Sequence, residues 1–301
     1  MRILNDNGRQ RESPQMGFLP LLSHSLSSAL GIGTVIISPF PMILSHLRLP
    51  EPWPKITGLV GAALALTVLE VPLALVALLF VFGLYVADTV ARGPQLWRLI
   101  IYVGLLSVVL GSLEVVTLSL LSHSNILVFW KGMINGLLDQ LQMIVPKTDN
   151  KIASSFVELR SLLYYQGPFL FVSSAIFSVW LSVGMAAHLG WFPADHSLCS
   201  ERLRKTRISI WVSSLFVVFF AAKTVAQGPW LHYCEGLFRV ISTIVFIEGC
   251  IVLSSFFAAR PARLRTLVYV FTMVFTAIVG FFPVASLGAF SPWYFRKRGT
   301  L

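Results

Sequence analysis

Charge is nearly absent from this chain except in short clusters that separate apolar blocks of about twenty residues, the length a helix needs to cross ~30 Å of hydrocarbon. Of 23 Lys and Arg, 17 fall in six such clusters. They are Arg2, Arg9 and Arg11; Arg48 and Lys55; Arg92 and Arg98; Arg202, Arg204, Lys205 and Arg207; Arg260, Arg263 and Arg265; and Arg296, Lys297 and Arg298. Basic residues in short loops stay on the cytoplasmic side of a membrane. The pattern therefore predicts an all-α polytopic transmembrane bundle of about eight segments.

Composition agrees. A chain of 301 residues that is 56% hydrophobic and 12% charged lacks the polar shell of a soluble domain. The sequence pI of 9.9 does not point to nucleic acid, because the basic residues are spread over segment ends, where they set topology and meet anionic lipid headgroups. Membrane lipids are the first expected partner, and nucleic acid is not expected. Cys199, Cys234 and Cys250 show no CxxC spacing and imply no disulfide framework. The run after Met16 resembles a signal peptide with a small-residue site near Ala29, but His24 and several serines break its apolar core, so cleavage is not expected.

The chain divides into a polar basic cytoplasmic N-terminus (1–16), an N-terminal transmembrane half (17–121), an extracytoplasmic loop (122–166), a C-terminal transmembrane half (167–292) and a basic cytoplasmic tail (293–301). The first block, Gly17 to Leu47, carries Gly31, Gly33, Pro39 and Pro41, which predicts a kinked or broken segment ending in irregular, proline-rich backbone. Ile56 to Ala91 is too long for one span and reads as a hairpin turning near Glu70 and Pro72. The last block contains Gly280 and Pro283 and is expected to break in the same way as the first. With all basic clusters on one side, both termini are cytoplasmic only if these two blocks enter and return. Trp97, Trp191, Trp211 and Trp230 fall at block ends, as an aromatic belt does, while Trp180 falls mid-block as a packing residue.

Within the long loop, Ile126, Trp130, Met133, Ile134, Leu137, Leu138, Leu141 and Ile144 recur at three- and four-residue steps, with Lys131, Asn135, Asp139 and Gln142 opposite. The spacing predicts an amphipathic helix from Ile126 to Val145, stopped by Pro146. Trp130, Met133, Leu137, Leu141 and Ile144 are expected to be buried against lipid or bundle, so that a lysine at Leu137 costs far more than one at Asp139.

No soluble-enzyme signature is present: no P-loop, HExxH, GxSxG or GxGxxG, and no His/Cys cluster at metal-ligand spacing. The expectation is a protein that is not an enzyme, with no catalytic residues, no metal and no cofactor. Ionisable residues inside apolar blocks are costly and are site candidates by default. Glu114, Lys223 and Glu248 are these residues. The helical rise places Glu114 and Lys223 about 25 and 22 Å from the inner face. All three are expected to converge between helices as a ligand-binding group in an outward-facing pocket, with Lys223 paired to Glu114 or Glu248. Arg239 is expected to pair locally with Glu235.

The stretch "SPFPMILSHLRLP", the short hairpin closed by Arg92, the long outer loop and the tail "SLGAFSPWYFRKR" together resemble the YybS-like family of uncharacterised bacterial multi-pass membrane proteins. The resemblance implies an acidic residue soon after the tail glycine, where this chain has Ser291. The family looks distantly similar to the substrate-binding membrane subunits of energy-coupling-factor transporters. That likeness implies a bundle in the bacterial inner membrane that binds a small solute and works with separate ATPase and coupling subunits. The expected function is therefore transport-related, and the alternative is a non-transporting scaffold or assembly factor.

Overall fold

The computed structural model describes residues 3–4, 10–11, 39–67, 73–144, 150–257 and 282–297, and these separate into two compact units, Met1–Ala91 and Arg92–Leu301. Apart from a two-residue antiparallel pair, Ile3–Leu4 with Gln10–Arg11, the described residues are organised by helices.

In the first unit, α1 (Pro39–Arg48), α2 (Trp53–Thr67) and α3 (Leu73–Ala91) pack on one another. The proline-rich stretch expected to be irregular is helix α1. The reason is position: Pro39 and Pro41 occupy the first turn, where backbone N–H groups have no intrahelical acceptor to lose. Met42 and Ile43 project from α1 into a core with Val76, Leu79, Phe82 and Val86 of α3. Gly83 lies directly beneath the Met42 sulfur, so a larger residue there would require the Met42 side chain to shift. The hairpin read from Ile56–Ala91 is present as α2 and α3, and its turn at Glu70 and Pro72 lies outside the described residues, as do residues 17–38.

The second unit contains α4 (Leu96–Leu121), α5 (Ile126–Ile144), α6 (Asn150–His188), the single turn-and-a-half α7 (Ser200–Lys205), α8 (Ile210–Val225), α9 (Pro229–Phe257) and α10 (Phe282–Lys297). Leu96–Leu121, Leu159–His188 and Trp230–Ser255 are long and apolar enough to cross a bilayer, and Val76–Ala91 and Ile210–Val225 are shorter apolar helices. Helix α6 starts far earlier than the apolar block it contains, so the boundary drawn at 166/167 falls inside it, and the one drawn at 292/293 falls inside α10.

Side-chain pairs fix the directions. Gly104 faces Ile176 and Gly111 faces Phe171, so α4 and α6 are antiparallel. Gln166 meets Glu235 and Phe177 approaches Phe246 at the same offset of 69 positions, so α6 and α9 are parallel. Arg207 reaches Glu248 while Phe216 and Phe220 meet Phe238, so α8 runs against α9. Helix α9 packs on α6, α8 and α10 and is the most buried of the three spans; α4 is the least buried. Trp180 stands edge-on to Phe246, a packing residue as its mid-block position suggested. The Oγ of Ser197 donates to the carbonyl of Pro94 at 2.8 Å, which brings the start of α4 to the α7 end of the unit. Arg98, Arg202, Arg204, Lys205 and Arg207 therefore gather at one end. The clusters at 260–265, Arg2, Arg9 and Arg298 lie outside the described residues.

Helix α5 is present over nearly the predicted range, but its buried stripe is rotated. Ile134 and Leu138 are buried and Trp130 is half-buried, whereas Met133 is 44% exposed. The side chains of Leu137, Leu141 and Ile144 lie outside the described ones. The wide apolar arc seen in the sequence is two faces: one packs on α4 and α6, and the other is left open. Asn135, read as solvent-facing, accepts from the Tyr164 hydroxyl, and Asp139 pairs with Arg160 at 3.1 Å at the surface. Leu138→Lys should therefore cost several kcal/mol by burying an unpaired ammonium, while Asp139→Lys should stay within about 1 kcal/mol. Thermal unfolding in detergent checks this; equal losses would contradict the rotated face.

A second anchor for α5 follows from Pro168. A proline inside a helix has no N–H for the carbonyl four residues back. That carbonyl belongs to Tyr164, and the indole Nε1 of Trp130 donates to it at 3.2 Å. Gly167 makes room, since a Cβ there would lie 2.8 Å from the Trp130 ring. Trp130→Phe should cost about 1–3 kcal/mol by orphaning that carbonyl, seen as a lowered midpoint of thermal unfolding; an unchanged midpoint would mean water replaces the indole.

Candidate functional site

The three intramembrane charges predicted to converge do not. Glu114 lies half-buried on α4, which packs on α5 and α6. Lys223 lies in the last turn of α8, which packs on α9 and α10. Its Nζ sits 4.3 Å from the centre of the Phe238 ring and 5.3 Å from that of Phe220. Two aromatic faces thus take the place of the expected carboxylate, a favourable setting for a cation. Aromatic partners leave no trace in a search for opposite charges.

Glu248 is the ionisable residue around which a polar site is built. It is fully buried on α9. Ser291 Oγ of α10 donates to its Oε1 at 2.9 Å, and Arg207 Nε stands 4.0 Å from the same oxygen. Among the described residues Oε2 has no hydrogen-bond partner. Arg207 is itself held in place, donating through one terminal nitrogen to the carbonyls of Arg204 at 2.7 Å and Thr206 at 2.8 Å. Its guanidinium thus ties the loop before α8 to the middle of the bundle.

Sequence reasoning took Arg207 as one of four topology-setting charges; the structure turns it inward toward Glu248. The available signal was its place next to the apolar block, where a long side chain can reach along the helix. Glu248 lies about 28 Å along α9 from Pro229 and about 14 Å from Phe257, level with the start of α8, and Lys223 is a helix length away. Ser291 supplies a hydroxyl donor here; a carboxylate at that position would face Glu248 with like charge.

Gly249 and Gly288 let α9 and α10 approach closely enough for the Ser291 bond. A Cβ on Gly288 would run into the carbonyl oxygen of Val245, and one on Gly249 into that of Val284. Small residues at such crossings are how membrane helices gain close packing.

A second polar cluster lies at the opposite end. Gln166 Nε2 donates to Glu235 Oε2 at 2.5 Å, and Tyr165 stacks on His232 with ring centres 4.5 Å apart. Glu235 is thus engaged across to α6 instead of pairing along its own helix with Arg239. Gln166 and His232 were not singled out in the sequence, because a glutamine at the end of an apolar block carries no charge to mark it. Among the described residues, no three His, Cys, Asp or Glu side chains come together as a metal site.

Apolar helices of spanning length, charges gathered at one end and a buried, hydrogen-bonded carboxylate define a polytopic helical membrane protein. The family model described as "Predicted membrane protein (DUF2232)" matches residues 18–290, and the chain belongs to that family. No curated protein and no solved structure matches the chain.

Proposed function

We propose that this protein is a transport-related, non-enzymatic membrane protein that binds a small hydrogen-bond-donating solute, cationic or neutral, at Glu248. The observation that carries the reading is the buried carboxylate whose Oε2 has no hydrogen-bond partner among the described residues and whose countercharge, Arg207, stands 4.0 Å from the other oxygen. Intramembrane acids are expensive and tend to mark solute or proton paths. A donor arriving at Oε2 finds an acceptor already desolvated. The basic end of the unit is then cytoplasmic, which suits a bacterial inner-membrane location. Because the chain has no P-loop, any energy from ATP would come from separate subunits.

The test is a thermal-shift screen of purified protein against amines, amino acids and nucleosides, run beside Glu248→Gln. Stabilisation of the native protein by one class, lost in Glu248→Gln while Lys223→Met retains it, supports the reading. No stabilisation by any member, or stabilisation that survives Glu248→Gln, rejects it.

A further inference from the structure

Among the described residues, helix α5 leaves one apolar flank unpartnered. Four residues separate it from α4, and the turn is tightly held: Ser119 Oγ donates to Ser124 O at 2.7 Å, Ser124 N to Ser119 O at 3.1 Å, and Leu127 N to Asn125 Oδ1 at 2.9 Å. The first turn of α5 is thereby fixed beside the last turn of α4. On α4, Leu120 and Leu121 are 70% and 72% exposed; on α5, Leu127 is 69% exposed, with Ile126 and Val128 also open. The two helix ends thus present exposed apolar side chains on either side of a short polar turn.

Farther along α5, Met133 lies seven positions after Ile126 and on the same side. That side is turned about 100° away from the Ile134–Leu138 stripe that meets the bundle. Exposed Lys131 lies beside Leu138 at the edge of that stripe and Asp139 about 100° beyond it, both turned away from Met133. A span such as α4 has its exposed leucines in lipid, because no water-facing segment keeps such a surface.

We infer that α5 is an interfacial helix whose Ile126–Val128 turn and Met133 flank are seated in the boundary between headgroups and acyl chains, continuous with the lipid-facing surface of α4. The occupant of the open flank is the bilayer. A helix of this kind combines an apolar face at the acyl boundary with charged residues at headgroup level. Lys131 meets phosphates, and the Asp139–Arg160 pair faces water. Helix α5 is then doubly anchored, through Trp130, Ile134 and Leu138 to protein and through the opposite flank to lipid.

Photo-crosslinking in native membranes tests this. Leu127→benzoylphenylalanine and Met133→benzoylphenylalanine replace exposed side chains, so folding should be kept. After irradiation both should yield phospholipid adducts by mass spectrometry, severalfold above Asp139→benzoylphenylalanine. Two results overturn the inference: lipid adducts at Leu127 and Met133 no higher than at Asp139, which leaves the flank in water, or adducts mainly to a protein chain, which makes it a protein interface.

Discussion

Gly288→Val should abolish the stable folded bundle. The position has no side chain because backbone occupies the space: the Val245 carbonyl of α9 lies directly over the Gly288 Cα. A flexible neighbour yields to an added methyl, but a helix carbonyl does not, because moving it means parting α9 from α10 along their contact. Overpacking a core commonly costs about 1–3 kcal/mol, and more where no rotamer can give way. Separation of α9 and α10 also removes Ser291 from Glu248 and uncovers Val284, Ala285 and Ala289 of the core cluster. Gly184→Ala is the matched control. It lies in α6 with nothing within 4 Å of an added Cβ, so the better helix former should be neutral or stabilising by up to about 1 kcal/mol. Thermal unfolding in detergent and limited proteolysis decide it, and a well-folded Gly288→Val would mean that α9 and α10 do not cross at Gly249 and Gly288.

Arg207→Met should destabilise strongly, by about 3–5 kcal/mol, because it strands the Glu248 carboxylate without its only ion-pair partner among the described residues. Adding Glu248→Leu should recover much of the loss, since a buried ion pair replaced whole by apolar groups costs little. The cycle separates a lock from a working site. A stable double variant with full biological activity makes the pair structural, and a stable but inactive one makes it functional. Lys223→Met, at the residue expected from the sequence to carry the ion pair, should cost only about 0.5–2 kcal/mol, the value of a cation over aromatic faces. If Lys223→Met proves worse than Arg207→Met, the assignment of Glu248 to Arg207 is wrong.

The sequence by itself determined the class. Apolar blocks of spanning length, basic clusters between them, tryptophans at block ends and the repeat in α5 each follow from local rules, either a hydrocarbon thickness or a helical period. Such rules act on neighbours in the chain, so they are legible without a fold. The same local physics explains the error at Pro39 and Pro41, where proline was read as a breaker although the first turn of a helix tolerates it.

Tertiary structure alone decided which charges meet. Glu114, Lys223 and Glu248 were singled out because they fall inside apolar blocks, but depth measured along single helices fixes one coordinate of three. Whether Glu248 faces Lys223 or Arg207 depends on the rotation of α9 and on its register against α8, both set by packing between distant segments. The same holds for α5, whose apolar arc is wide enough to satisfy either of two faces, and for Trp130, whose hydrogen bond exists only because Pro168, 38 positions away, leaves the Tyr164 carbonyl without its helical donor. Long-range packing chose among partners that local pattern left equivalent.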